Sequence, residues 1–318
     1  MKMEYKLLGN TGVKVSRLCM GTMTFGKEVN ETDSGAIFMR CREAGINFFD
    51  CADSYAGGES ERILGELIKD CRDEVVITTK VFNRVGEDIN AGGTSRRHIM
   101  TSVEKSLRRM KTDYIDLYFL HHFDTEAGME DSLRALDDLV GQGKILYPAA
   151  SNYAAWQIMK ARAISMREGW SPFRCIEPMY NLLKRQVEVE ILPMAASENL
   201  GVIPYGPLAG GLLTGKYLQP GSTGRFIENK DYPKRYAHPS IHETVKKFTR
   251  FAQEHGYGTA ALAVAWVSHH PAVTAPIIGA RSAEQLKDTF KALEIDMTPE
   301  LYQQVSNLSV APPLATDR

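Results

Sequence analysis

The chain has no CxxC pair. Its five cysteines, Cys19, Cys41, Cys51, Cys71 and Cys175, are odd in number and scattered, so no disulfide framework is expected. Reduced thiols in a cytoplasmic protein are the simple reading. No apolar run approaches the roughly 18 residues that a membrane-spanning helix needs, so no membrane insertion is expected. The opening MKMEYKLLG has no signal-peptide layout. Neither sign of charge dominates, because the net charge is −1 and no long run of like charges occurs. Nucleic-acid binding therefore has no electrostatic footprint. A GxGxxG fingerprint is also missing after the first strand, where the chain reads Gly21-Thr22-Met23-Thr24-Phe25-Gly26.

What remains is an ordinary globular composition, 43% hydrophobic and 24% charged over 318 residues. That length suits two average domains or one large α/β barrel. Two short strand-like runs around Asn10-Thr11-Gly12 read as a β-hairpin. A rhythm follows. Apolar runs at 18–20, 47–49, 75–79, 114–120, 145–149, 175–179, 202–205 and 273–277 read as strands. Helical patterns occupy 31–44, 60–69, 95–110, 130–140, 153–167, 189–199 and 283–292, several of them closed by glycine. Such alternation is the pattern of a parallel sheet covered by helices. An open doubly wound sheet gives no reason for eight units and would usually carry the missing glycine fingerprint. The fold class expected is α/β, with residues 1–318 forming one closed (β/α)8 barrel of the TIM type. A long polar loop at 218–239 follows strand seven, and an extra helix at 299–308 ends the chain.

Sites in such barrels are built at the carboxyl ends of the strands. Strand two ends in Asp50, with Tyr55 beyond it in a loop closed by Gly57-Gly58; strand three ends in Lys80 and strand four in His121. Strand five runs into Ser151-Asn152, strand six meets Glu177, strand seven ends in Tyr205, and strand eight feeds Gly279-Ala280-Arg281-Ser282. Taken singly, Asp50 reads as a turn cap, Lys80 as a snorkelling surface residue and His121 as a satisfied core group. Together on three consecutive strand ends they read as a site.

These segments resemble the aldo-keto reductase family over nearly the whole chain. GINFFDCADSYAGGESERILG is similar to its Asp and Tyr segment, VVITTK to its Lys strand and DYIDLYFLHH to its His strand. AASNY, YNLLKR, YGPLAGGLLTGKY and IIGARSAEQL are similar to its cofactor segments. GLLTGKY and the long loop lean toward the branch that includes potassium-channel β subunits and bacterial general reductases. The resemblance implies a catalytic tetrad of Asp50, Tyr55, Lys80 and His121. It also implies an NADPH/NADP+ site made by Gly21, Thr22, Met23, Ser151, Asn152, Glu177, Tyr205, Gly206, Pro207, Leu208, Gly210, Leu212, Lys216, Gly279, Arg281, Ser282, Gln285 and Asp288. Ser151 and Asn152 would hold the carboxamide, and Tyr205 would stack on the nicotinamide. Arg281 offers a fork suited to a 2′-phosphate, which favours NADPH over NADH. Met23, Phe25, Phe82, His122 and Phe123 would wall the substrate pocket. Two positions depart from the family pattern: Glu177 stands where glutamine is usual, and Thr289, beside Asp288, where asparagine commonly meets adenine.

The implied activity is reduction of an aldehyde or ketone to an alcohol. Tyr55, with an ordinary pKa near 10, would supply the proton, Lys80 would lower that pKa, Asp50 would hold Lys80, and His121 would donate to the carbonyl oxygen. His121-His122-x-Asp124 suggests a metal only weakly, because adjacent strand residues point to opposite faces. No metal is expected. Two other functions stay open: a Schiff-base lyase using Lys80, and a slow cofactor-binding accessory or redox-sensing subunit. A homo-oligomer is compatible with the sequence; the substrate is not named by it.

Overall fold

The computed structural model describes residues 3–316. Strands β1 (Tyr5–Leu7) and β2 (Lys14–Ser16) form the expected antiparallel hairpin, pairing Tyr5 with Ser16 and Leu7 with Lys14. Eight further strands follow: β3 (Cys19–Gly21), β4 (Phe48–Asp50), β5 (Val76–Val81), β6 (Ile115–Leu120), β7 (Ile145–Ser151), β8 (Cys175–Glu177), β9 (Gly201–Val202) and β10 (Ile277–Ile278). They stand in the order β10-β3-β4-β5-β6-β7-β8-β9, and each adjacent pair is parallel. A parallel bridge between Tyr205 and Ile277 closes the ring. At the same seam the Ile277 amide donates to Pro204 O at 2.8 Å and the Thr274 amide to Val202 O at 2.9 Å. The (β/α)8 barrel expected from the strand rhythm is the observed fold.

Strand alternation sends one set of apolar residues outward to the helices and another into the barrel. Inside, Cys19, Phe48, Leu117, Ala149, Cys175 and Ala275 make a core of their own, joined by Leu8 and Val15 from the hairpin. The hairpin is therefore a plug at the amino end of the strands. Its seat is tight, because a Cβ on Gly201 would lie 2.6 Å from Leu8 Cδ1; between β3 and β10, a Cβ on Gly21 would lie 2.7 Å from Ile277 Cγ2. Glycine is required at both by close approach.

The outer layer contains α1 (Glu31–Glu43), α2 (Glu59–Ile68), α3 (Arg96–Met110), α4 (Met129–Gly141), α5 (Ala155–Glu168) and α6 (Ile191–Ser197). After these come the short α7 (Arg225–Glu228) and α8 (Asp231–Arg235), then α9 (Ser240–Glu254), α10 (Thr259–His269), α11 (Ala283–Phe290) and α12 (Pro299–Ser306). Side chains of Asn30, Ser95, Ser282 and Thr298 cap α1, α3, α11 and α12 by accepting from backbone amides of the first turn. On α1, Ile37, Phe38 and Cys41 face the sheet, with Phe38 and Phe49 ring centroids 4.8 Å apart.

Three strands are shorter than the apolar runs suggest, and proline explains each. Pro178 follows Glu177 and ends β8, Pro204 interrupts the run after β9, and Pro276 stands immediately before β10. Each lacks the amide that a ladder needs, yet each still accepts: Pro178 O from Tyr205 N, Pro204 O from Ile277 N, and Pro276 O from Cys19 N. The expected helix at 189–199 is only the seven-residue α6. The loop at 218–239 contains α7 and α8, and residues 240–272, for which the sequence suggested no element, contain α9 and α10. Ala261 through Ser268 of α10 are all buried, so no polar face exists for a periodic pattern to display.

Candidate active site

Asp50 closes β4 and Lys80 lies near the end of β5, both with inward side chains. Lys80 is fully buried, an expensive position for an ammonium unless it is paired. Its Nζ lies 2.5 Å from Asp50 Oδ1, 2.9 Å from Cys51 O and 3.4 Å from Tyr55 Oη. Thr78, two residues before Lys80 on the same strand face, donates its hydroxyl to Asp50 Oδ1. Tyr55 lies in a 3₁₀ turn between β4 and α2, with Ala56 and Gly57 in left-handed backbone conformations. The turn carries the phenol back over the lysine. Burial would lower the Lys80 pKa, but the carboxylates of Asp50 and Glu177 overcome it and hold the group well above its ordinary value.

Glu177 is the second carboxylate at this lysine. It ends β8, is 3% exposed, and places Oε2 3.3 Å from Lys80 Nζ. That oxygen makes no hydrogen bond. Burial first, and then the Asp50 charge, push the Glu177 pKa well up, with Lys80 opposing both. Two carboxylates crowd one ammonium here, and for Glu177 that crowding adds to the cost of burial.

The expectation that Lys80 lowers the Tyr55 pKa is only part of the balance. Burial raises it, Lys80 pulls it down, and Asp50 and Glu177 push it up; the net direction is upward. Tyr55 thus keeps its proton at neutral pH.

His121 follows β6. Its ring meets Tyr55 edge-on with centroids 6.2 Å apart, and its Nδ1 lies 3.2 Å from Asn83 Nδ2. Burial, then the charge of Lys80, lowers its pKa to about 2, so the ring is neutral. The expectation that His121 and His122 point to opposite faces is corrected: the rings are stacked, 4.9 Å apart with an interplanar angle of 11°. Both residues lie beyond the end of β6, where strand alternation no longer applies.

The residues expected to hold a cofactor fall on the same rim. Asn152, at φ 59°, donates to His121 O at 2.9 Å and accepts from Tyr205 Oη at 2.7 Å. Ser151 Oγ donates to Glu177 O at 2.9 Å. These bonds join β6, β7, β8 and the Tyr205 segment into one preassembled wall. Across the ring seam, a Cβ on Gly279 would meet open space, Ser282 caps α11, and Gln285 Oε1 accepts from Arg281 N at 2.8 Å. Arg281 also pairs with Glu228 on α7 at 3.1 Å, with both side chains partly exposed. The backbone of Gly210, at φ 68°, lies under the Tyr232 ring, and Lys216 Nζ stands over the Tyr217 ring at 4.8 Å. A helix N-terminus with an arginine and a lysine near glycine-lined backbone fits a phosphorylated ligand. Gly206, Pro207 and Leu208 continue the Tyr205 segment.

Some expected contacts have other uses. Thr22 is fully buried, and its hydroxyl donates to Asp50 O and accepts from Ser60, tying β3 to β4 and α2. Phe25 is fully buried in the outer core rather than walling an open pocket. Leu212 is also a core residue. Asp288 pairs with Lys291 on the surface, and Thr289 is buried. Met23, Phe82, His122 and Phe123 do stay partly exposed at the mouth. Phe82 meets His122 at 5.2 Å, and Phe123 meets Trp156 at 6.1 Å. Sequence reasoning missed Trp156, Asn83 and Thr78. Of these only Thr78 carried a signal, its two-residue spacing from Lys80.

A parallel barrel with a buried lysine–carboxylate pair beneath a tyrosine and a neutral histidine defines a site suited to proton transfer at a polar ligand group. The family model for the Aldo/keto reductase family matches residues 17–309, and the chain belongs to that family. It is 37% identical to an uncharacterized oxidoreductase, YrpG, of Bacillus subtilis, over 98% of this chain and 97% of that protein. It is 34% identical to a probable voltage-gated potassium channel subunit beta of Oryza sativa, over 99% of each. Versiconal hemiacetal acetate reductase of Aspergillus parasiticus is 31% identical over 95% of each. The protein is an aldo/keto reductase family oxidoreductase. Among the described residues no helix is long and apolar enough to cross a membrane.

Proposed function

We propose that this protein reduces aldehyde or ketone carbonyls to alcohols with NADPH, using Tyr55 as proton donor. The observation that carries the reading is the Lys80 ammonium, buried between Asp50 and Glu177 and 3.4 Å from Tyr55 Oη. Such an ammonium favours a developing phenolate as Tyr55 gives its proton to the carbonyl oxygen. Asp50 keeps the lysine charged and fixed. His121, neutral and held at its backbone by Asn152, donates to the same oxygen and stabilises charge that develops there.

A bound nicotinamide cofactor would supply the hydride. Ser151, Asn152 and Glu177 are suited to its carboxamide and Tyr205 to its ring. Gly210 and Lys216 suit the pyrophosphate. Arg281, Ser282 and Gln285 suit a 2′-phosphate at the start of α11. The half-exposed wall of Met23, Phe82, His122, Phe123 and Trp156 suits uncharged, aromatic-faced substrates.

A panel of aldehydes and ketones, followed by NADPH consumption, tests the reading. Turnover with several members supports it; none, with NADPH still bound, rejects it. A second reading, a slow accessory or redox-sensing subunit, draws on the likeness to a probable potassium channel subunit beta. Very slow single-turnover hydride transfer and co-purification with a membrane partner would favour it. A Schiff-base lyase needs a free amine, which the two carboxylates at Lys80 oppose. Borohydride trapping with a carbonyl compound tests that alternative.

A further inference from the structure

His121 has a choice that its burial does not make for it. A neutral imidazole carries one N–H, on either Nδ1 or Nε2, and only a protonated nitrogen can donate. The ring is held neutral by burial and by the nearby Lys80 ammonium. Its backbone is pinned on both sides, since the His121 amide donates to Val81 O at 2.9 Å and Asn152 donates to His121 O. Backbone anchoring fixes where the ring is, but not where the proton is.

Asn83 faces Nδ1. Its Nδ2 lies 3.2 Å from that nitrogen and 3.4 Å from Ser54 Oγ. An amide nitrogen donates and cannot accept, and both partners can accept. In this orientation Nδ1 is the bare nitrogen and the proton sits on Nε2. Turned over, the amide would offer Oδ1, accept from an Nδ1–H and leave Nε2 bare. A bare Nε2 would repel a carbonyl oxygen instead of binding it. We propose that Asn83 is a positioning residue that fixes His121 as its Nε2–H tautomer and so makes it a donor to the substrate carbonyl. This deepens the functional reading above and rests on it for the identity of the acceptor, though not for the tautomer.

Protein labelled with ¹⁵N-histidine reports the tautomer in the resting state, with His121→Gln used to assign the resonances. The expected wild-type spectrum has His121 protonated on Nε2 and bare on Nδ1. Asn83→Leu should replace this single state by a mixture of tautomers. It should also lower kcat about tenfold or more while leaving NADPH affinity unchanged. A wild-type His121 protonated on Nδ1 overturns the proposal, as does an Asn83→Leu spectrum identical to wild type. If Asn83→Leu does not fold, the wild-type spectrum and Asn83→Ala decide by the same criteria. The expected spectra in a protein that turns over no carbonyl compound would reject the proposed function while leaving the tautomer inference standing.

Discussion

Lys80 is bracketed: Asp50 takes one side of its ammonium, and Glu177, 3.3 Å away, takes another with an oxygen that finds no hydrogen bond. The Glu177 carboxyl can ionise or keep its proton, whereas the glutamine usual at this position in the family stays neutral. When ionised, it favours a positively charged ring beside it over a neutral one. Glu177→Gln should therefore lower the affinity for NADP+ relative to NADPH by on the order of 1 kcal/mol, or about fivefold. Parallel titrations of the two cofactors measure the ratio, and an unchanged ratio would remove the idea.

Tyr55→Phe deletes the proton and little else, because the phenol makes one long contact to Lys80. Turnover should fall by roughly 10²–10⁴. Cofactor binding, followed by fluorescence quenching, should persist. Near wild-type aldehyde reduction would show that the proton comes from another group.

Arg281 is shared between Glu228 and the space at the start of α11. The pair to Glu228 is half exposed and worth little, so the arginine can exchange it for a phosphate. Arg281→Ala should weaken NADPH binding by about tenfold or more and leave NADH binding nearly unaffected. Equal losses for both cofactors would place the 2′-phosphate elsewhere.

Asp53, fully buried behind the Tyr55 turn, accepts from Ser102 Oγ at 2.9 Å through Oδ2 but leaves Oδ1 without a partner. Burial, with the charge of Glu61, raises its pKa to about 7 against the pull of Ser102 and Arg109. In the unfolded chain an aspartate titrates near 3.9. Between about pH 4 and 7 the folded protein holds a proton that the unfolded chain has released, so this group's stabilising contribution shrinks as pH rises through that window. Asp53→Asn should flatten the dependence and make the protein more stable than wild type at pH 8, by a few kcal/mol at most. Urea midpoints at pH 5 and pH 8 measure it; parallel slopes for both proteins would contradict the assignment.

Much of this was legible because most barrel strands are largely apolar runs, several with a polar residue at or just past the end. Asp50, Lys80, His121 and Glu177 announce themselves in that way. Legibility failed where the controlling contact is not local. The proline-shortened strands β8, β9 and β10 depend on which neighbour needs an amide. The all-apolar α10 has no periodic face. His121 and His122 stack because the strand has already ended, and the upward shift at Tyr55 comes first from burial, to which Asp50 and then Glu177, remote in sequence but adjacent in space, add their charges. Asn83 lies beyond the end of β5, where no pattern could mark it.

The three prolines at the seam have a further consequence. Pro178, Pro204 and Pro276 remove amide donors where β8, β9 and β10 meet, so the ring is closed there by the fewest rungs. That is where the cylinder would part first, and its amides should exchange with solvent soonest. The Tyr205–Lys216 and Gly279–Gln285 segments leave from opposite lips of this same seam. A ligand gripped by both would act as a clasp, so that filling the site and tightening the barrel become one event.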